Sequence, residues 1–323
     1  MKINLWDLAF SDRSCILNSK LTYAILCLII GFSNGVMSSQ QTGIPLLSIE
    51  SISWTEEETA YIKALNHKGK IVVATKINKS AYYPLKNSGI SGFHYSALKK
   101  FSDLAQIKID IKLVKWKEYF HKQGKDLTRV KTEIDYQYTP TLIENVDIYL
   151  DGITSTPWRE KMFDIIKFVP SRQMIITRKD TLHNNLSDLN GKICAMVKHT
   201  SMEQNLLKIM HTKKINIIFM YVNNFEEMEQ LVSSGKADFT IFNSDRAFSV
   251  LRTYDNLTIA WHISEIQVMG WAINKKEYVL KSILKKYLNY AQNSEILDKY
   301  WFAHYGVPFI EYLRVINIAG SPD

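Results

Sequence analysis

Apolar residues recur along this chain in two periods, and the switches between them outline its elements. Ile71-Val72-Val73-Ala74 is a short β-branched run that suits a buried parallel strand, and 107–114 and 146–150 read as further strands. Helices are predicted over 54–66 and 96–105. The first opens on Thr55 and Glu58, a capping-box pair whose hydroxyl and carboxylate satisfy free amides at a helix start. The stretch 116–145 is polar and aromatic without a firm period and reads as a helix plus a long surface loop. A second alternating unit begins near Leu182. Asn190-Gly191 turns into a strand over 193–197, and Thr200 with Glu203 forms another capping box before a helix to about 211. A strand over 217–222 follows, then Phe225, Met228, Leu231 and Val232 at helical spacing, Gly235 as a stop, and a strand over 237–242. Extended runs at 257–261 and 268–273 precede a helix with Leu280, Ile283, Leu284 and Tyr287 on one face and Lys281, Lys285 and Lys286 on the other. An aromatic-rich helix over 295–304 closes the pattern. Strands alternating with helices imply parallel sheets covered on both sides, and the length implies two of them.

Residues 1–38 follow a different rule. Lys2, Arg13 and Lys20 precede an apolar run from Leu21 to Phe32, and Val36-Met37-Ser38 supplies the small residues of a cleavage site. This is the form of a secretory signal peptide. A helix over that run would be about 18 Å long, short of a hydrocarbon core of about 30 Å; an uncleaved membrane anchor is the alternative. Leu26 before Cys27 argues against lipoprotein processing. Residues 39–53 lack a clear period and read as a linker, so 39–67 is expected to be linker and N-terminal helix.

The 323 residues are 46% hydrophobic and 22% charged, an ordinary globular composition, with a formal charge of +8. Such a surplus suits nucleic acid, a membrane surface or an acidic ligand. Without residues 1–38 the chain keeps 37 basic and 30 acidic residues, a formal +7. The lysines are scattered over helix exteriors rather than gathered in a stripe with aromatics, so nucleic acid is not expected as a partner. Cys194 is the sole cysteine after the leader, so the fold must be held by its core.

Catalytic signatures are missing: there is no Gly-rich phosphate loop, no Gly-x-Ser-x-Gly elbow and no His-Glu-x-x-His helix. The eight histidines show no ligand spacing, so neither metal nor cofactor is expected. What remains is Asp147-Ile-Tyr-Leu-Asp151-Gly152-Ile-Thr154-Ser155-Thr156-Pro157-Trp158-Arg159. A strand ends in a glycine and a cluster of hydroxyls, and an arginine follows at a helix start, an arrangement that binds anions or simply caps a helix.

That segment resembles the most specific motif of the family 3 periplasmic solute-binding proteins, Gly-hydrophobic-Thr-x-Thr-x-x-Arg, and the likeness runs in order from about Lys68 to Tyr305. Lys70-Ile-Val-Val-Ala-Thr75 with Tyr82-Tyr83-Pro84 resembles the opening strand and its aromatic-proline turn. Ser91-Gly92-Phe93-His94 resembles Gly-Phe-Asp, with His94 in place of the aspartate. Phe163-Asp164 to Pro170, Leu186 to Lys192, His199-Thr200-Ser201, Gly235 to Asp238 and Leu297 to Phe302 fit later family segments. The helix at Trp54, Phe239 to Ser244 and the tail from Tyr305 resemble more closely the binding module of membrane-bound lytic transglycosylase F and related sensor modules. That enzyme carries a lysozyme-like domain beyond this point, and none is expected before Asp323.

The resemblance implies an α/β, two-lobed type II periplasmic binding fold, each lobe a mostly parallel sheet flanked by helices, with two hinge crossings near Thr177 and Gln267. Lobe 1 would comprise 68–177 with 268–323, and lobe 2 178–267. It implies that Arg159 grips a ligand carboxylate through parallel N–H donors, aided by Gly152 and Thr154. Thr200 and Ser201 would donate from the second lobe, and Tyr82 would cover the ligand. Amino-acid binders place an aspartate where Asn243 stands, so Asp245 or Asp151 would have to receive an ammonium; alternatively Asp151 pairs with Arg159. The implied protein is a periplasmic, monomeric, non-enzymatic binder of a small polar carboxylate such as an amino acid, closing about its hinge for an ABC permease or a membrane sensor. The alternatives are a sensing or scaffold module without transport, and a dehydratase-like enzyme using Asp151 or Asp245 as its acid.

Overall fold

Thr55 opens the first helix through its capping box: its hydroxyl accepts from the Glu58 amide at 3.1 Å, and the Glu58 carboxylate accepts from the Thr55 amide at 2.8 Å. Gly69, at φ 74°, ends that helix, α1 (Glu56–Lys68). The structure is a computed structural model and describes residues 43–86, 89–114, 121–122, 136–137, 145–181 and 183–318. The expected signal peptide and most of the expected helix and loop at 116–145 lie outside the described residues. Among the described residues no helix is long and apolar enough to cross a membrane.

After α1 come β1 (Lys70–Thr75), the short β2 (Tyr83–Pro84) and β3 (Ile90–Ser91), α2 (Phe93–Ala105) and β4 (Lys108–Leu113). The two-residue strands β5 (His121–Lys122) and β6 (Tyr136–Gln137) pair with each other. Then follow β7 (Ile148–Thr154), α3 (Pro157–Met162), β8 (Asp164–Ser171), β9 (Gln173–Arg178), β10 (Ile193–Val197), α4 (Ser201–Lys213), β11 (Ile218–Val222), α5 (Phe225–Ser233) and β12 (Phe239–Asn243). The chain continues through α6 (Ser244–Thr253), β13 (Leu257–His262), β14 (Gln267–Ile273), α7 (Tyr278–Asn293), α8 (Ile296–Tyr305) and α9 (Phe309–Ile318).

Two five-stranded sheets of the same design result, in the orders β4-β1-β7-β14-β8 and β11-β10-β12-β9-β13. Each is mostly parallel. The exception in each is the strand that arrives from the other lobe: β14 runs against β7 and β8, and β9 against β12 and β13. A strand entering straight from a neighbouring sheet has no helical crossover to turn it round, whereas successive strands within a lobe do.

The chain passes from β8 to β9 with Arg172 alone between them, and returns through 263–266. Thr177, expected at the first crossing, instead lies inside β9, paired with Phe239 and Thr258. No glycine or proline marks the turn at Ser171-Arg172-Gln173, so the break between the two strands carries no sequence signal. The expected linker also proves partly structural: Leu46 is fully buried and Ile52 nearly so. Strand β7 is longer than expected and runs on through Gly152 to Thr154.

The first lobe closes over Ile71, Val73, Leu98, Phe101, Trp271 and Tyr287, whose burial contributes about 1.5–3 kcal/mol per large apolar side chain. Gly270 is required there by contact: a Cβ on it would stand 1.8 Å from the Ile166 carbonyl oxygen of β8. Helices α8 and α9 then reach back to the crossing. Tyr312 donates to the Pro170 carbonyl at 2.6 Å and lies 2.7 Å from the Ser244 hydroxyl of the other lobe.

Candidate functional site

The C-terminal ends of β1, β7, β10 and β12 face one another across the crevice between the sheets, where open α/β folds place their ligands. A cavity there is lined from the first lobe by Lys76, Asn78, Ser80, Asp151, Gly152, Thr154, Arg159 and Met269, and from the second by Thr200, Ser201, Met202, Phe225, Phe242, Asn243, Asp245 and Arg246. Eight of the nine residues expected from the sequence converge on it.

Tyr82 is the ninth and does not line it. Asn78 makes a tight turn by accepting from the Ala81 amide at 2.7 Å and bridging backbone to backbone with Tyr82. Tyr82 then meets Tyr95 edge-on, with ring centroids 5.4 Å apart, and the wall is formed by Lys76, Asn78 and Ser80 of the same segment.

Pro157 sits at the first position of α3, where its missing N–H costs nothing, and sets the helix that carries Arg159. Arg159 is 2% exposed and donates from Nη1 to the Thr154 carbonyl at 2.9 Å, which fixes its guanidinium in the wall. The Thr154 hydroxyl is 3.4 Å from that of Ser201, a hydrogen bond joining the two lobes across the cavity. Asn243 spans them as well, its amide nitrogen 3.0 Å from the Met269 sulfur.

Thr200 caps α4, accepting from the Glu203 amide at 3.2 Å and donating to the Val197 carbonyl at 3.1 Å. Its donor proton is thus directed into its own lobe, and the backbone and Ser201 form the face toward the cavity. The second half of that capping box is displaced by one residue, because Glu203 accepts from the amide of His199 rather than of Thr200.

The two cavity aspartates differ. Asp151 pairs with Lys76 at 2.7 Å and accepts from the Gly152 amide at 3.0 Å and the Asn78 side chain at 3.4 Å. Asp245, in the first turn of α6, is 5% exposed, and its Oδ1 has no hydrogen-bond partner within the protein. Burial, reinforced by the nearby charge of Asp151, pushes its pKa up to about 6 against the pull of Arg246 and the helix-start amides. Arg246 beside it is held by Glu229 at 2.5 Å and Glu226 at 2.9 Å, with its guanidinium 5.0 Å from the centre of the Phe225 ring.

The basic and aromatic members of the wall, Lys76, Phe225, Phe242 and Arg246, and the apolar Met269 were not anticipated. Position was the available signal: Lys76 follows the β-branched run of β1, Phe242 ends β12, and Arg246 adjoins Asp245. His94, expected in place of a family aspartate, lies behind the site. A Cβ on Gly152 would come 3.3 Å from its Nε2, so glycine there keeps the strand against the imidazole.

No protein-family model matches the chain. It is 25% identical over 222 residues to membrane-bound lytic murein transglycosylase F of Alcanivorax borkumensis, a match covering 67% of this chain and 43% of that protein. Further transglycosylases F match at lower identity, and the chain spans about half the length of these curated relatives. Among solved structures, an ancestral amino acid-binding protein described as a precursor of cyclohexadienyl dehydratase superposes with a TM-score of 0.62 at 21% identity, covering 76% of this chain and 99% of that one. The chain has the two-lobed solute-binding fold. An ancestral arginine-binding protein bound to arginine gives a TM-score of 0.60 at 20% identity, over 73% of this chain and 98% of that one. The fold expected from the motif order and the resemblance expected to lytic transglycosylase F are thus both found.

Proposed function

We propose that this protein is an extracytoplasmic solute-binding protein or module that captures a small polar carboxylate, such as an amino acid, by closing its lobes, and presents the closed form to a membrane transporter or sensor. The observation that carries this reading is the pairing of charges in one cavity between two lobes. Arg159 offers a guanidinium from the first lobe and Asp245 a carboxyl from the second. A carboxylate held by the former and an ammonium held by the latter would tie the lobes together, so binding would favour closure. Export is supported by the leader-like residues 1–38 and by kinship with membrane-bound proteins.

Calorimetry of the purified protein against a panel of amino acids and small hydroxy acids tests it, with Arg159→Ala as the control. The expected result is binding of a carboxylate ligand that Arg159→Ala weakens by about 100-fold or more, since a charge-assisted bidentate pair is lost. A carboxylate ligand bound equally by both proteins would refute the anion site.

A dehydratase-like enzyme is the second reading. It is favoured by Asp245, whose pKa of about 6 suits a proton donor. Turnover of a hydroxy acid by the wild type and its loss in Asp245→Asn would establish it.

A further inference from the structure

The cation in this cavity that no motif foretold belongs to the protein. Lys76 leaves the end of β1 and extends its ammonium to Asp151 at 2.7 Å, and the same ammonium lies 5.0 Å from the centre of the Phe225 ring on the opposite lobe. A carboxylate and an aromatic face are what a site needs to hold the distal cation of a basic ligand. Here both are engaged by a tethered cation. Arg246 reinforces the arrangement, since its guanidinium also lies 5.0 Å from the Phe225 ring and is neutralised by Glu226 and Glu229.

We infer that Lys76 is a specificity-determining residue that occupies the subsite of a ligand's distal cation, so that the cavity takes small carboxylates with a neutral side chain and rejects arginine and lysine. The inference rests on the proposed solute-binding function. Lys76 is paired to Asp151, and Arg246 to Glu226 and Glu229. A second ligand cation would meet Lys76 and Arg246 at the Phe225 ring with Asp151, Glu226 and Glu229 already engaged by them, and a buried charge without a counterion is strongly disfavoured.

The test is calorimetry of wild type, Lys76→Ala and the double variant Lys76→Ala/Asp151→Asn with glycine, alanine, serine, lactate, arginine and lysine, the fold of each variant being checked by circular dichroism and thermal melting. Wild type is expected to bind at least one small carboxylate about 100-fold more tightly than arginine. Lys76→Ala frees Asp151 and the Phe225 face and is expected to gain arginine affinity by about tenfold or more, while the double variant, with the space but not the carboxylate, gains none. Arginine bound by wild type as tightly as any small carboxylate would overturn the inference and leave the solute-binding reading intact. A folded Lys76→Ala with unchanged arginine affinity would also overturn it. If no compound in the panel binds wild type or either variant, the proposed function fails and the inference fails with it. The wild-type comparison decides the matter even if a variant does not fold.

Discussion

Trp271 donates its indole N–H to Nδ1 of His94 at 3.1 Å, joining α2 to β14 behind the candidate site. Because an indole can only donate, Nδ1 must be the acceptor and the imidazole proton sits on Nε2, on the side of Gly152. Burial among Phe93, Phe168 and Trp271 disfavours the charged ring and lowers its pKa to about 4. The unfolded chain, with an ordinary value near 6.5, therefore binds the proton first as the pH falls. The stability gained by keeping this ring neutral is complete above about pH 6.5 and is lost as the pH drops toward 4. At pH 5 the loss from this one group is about 2 kcal/mol. His94→Gln keeps an acceptor for the indole and does not titrate. Urea unfolding at pH 7.5 and 5.0 should show the wild type losing about 2 kcal/mol more than the variant over that interval. Equal losses would mean that His94 is not buried neutral.

Asp245 has the opposite sign. Its carboxyl, raised to about 6 in the folded protein, prefers its proton there, so its contribution declines as the pH rises from about 4 through 6. Above that window an ionised, desolvated carboxylate costs the fold about 3 kcal/mol. Asp245→Asn should raise the unfolding free energy at pH 7.5 by about 1–3 kcal/mol and at the same time weaken binding of an amino acid by about tenfold or more. It should also abolish the rise in affinity for an ammonium-bearing ligand expected between pH 5 and 7.5. A variant that loses stability at pH 7.5 would show that Asp245 is structural.

Much of this was legible because it depends on local chemistry. The Thr55–Glu58 capping box satisfies its backbone within three residues, and the β-branched run at Ile71 and the hydroxyl-rich turn before Arg159 carry their signal in local composition; each stands where its pattern placed it. What escaped depends on distant partners. Tyr82 faces Tyr95 because Asn78 bends the turn that carries it, and Lys76 is part of the site because Asp151, far along the sequence, receives its charge. β8 and β9 drew no strand reading from the sequence, and the single residue between them, Arg172, carries no turn signal. Helix α6 went unseen because Asn243 opens it without any side-chain cap bond.

The tail after α8 offers a last prediction, because it fastens to the crossing rather than to either lobe alone. Tyr312, fully buried, donates its hydroxyl to Pro170 at the end of β8, lies 2.7 Å from Ser244 at the start of α6, and stacks on Phe309 and edge-on against Phe248. Ser244 in turn is 3.0 Å from the hydroxyl of Ser171. One phenol thus bonds to β8 of the first lobe and to the helix start of the second that carries Asp245. Removing it in Tyr312→Phe leaves the rings packed but strands a buried carbonyl, at a cost of about 1–3 kcal/mol. Thermal unfolding should register that loss. Because the bond holds the lobes at their hinge, the variant should also bind its ligand several-fold more weakly with Arg159 and Asp245 untouched, a change carried by faster dissociation. A stability loss with unchanged dissociation would confine Tyr312 to packing.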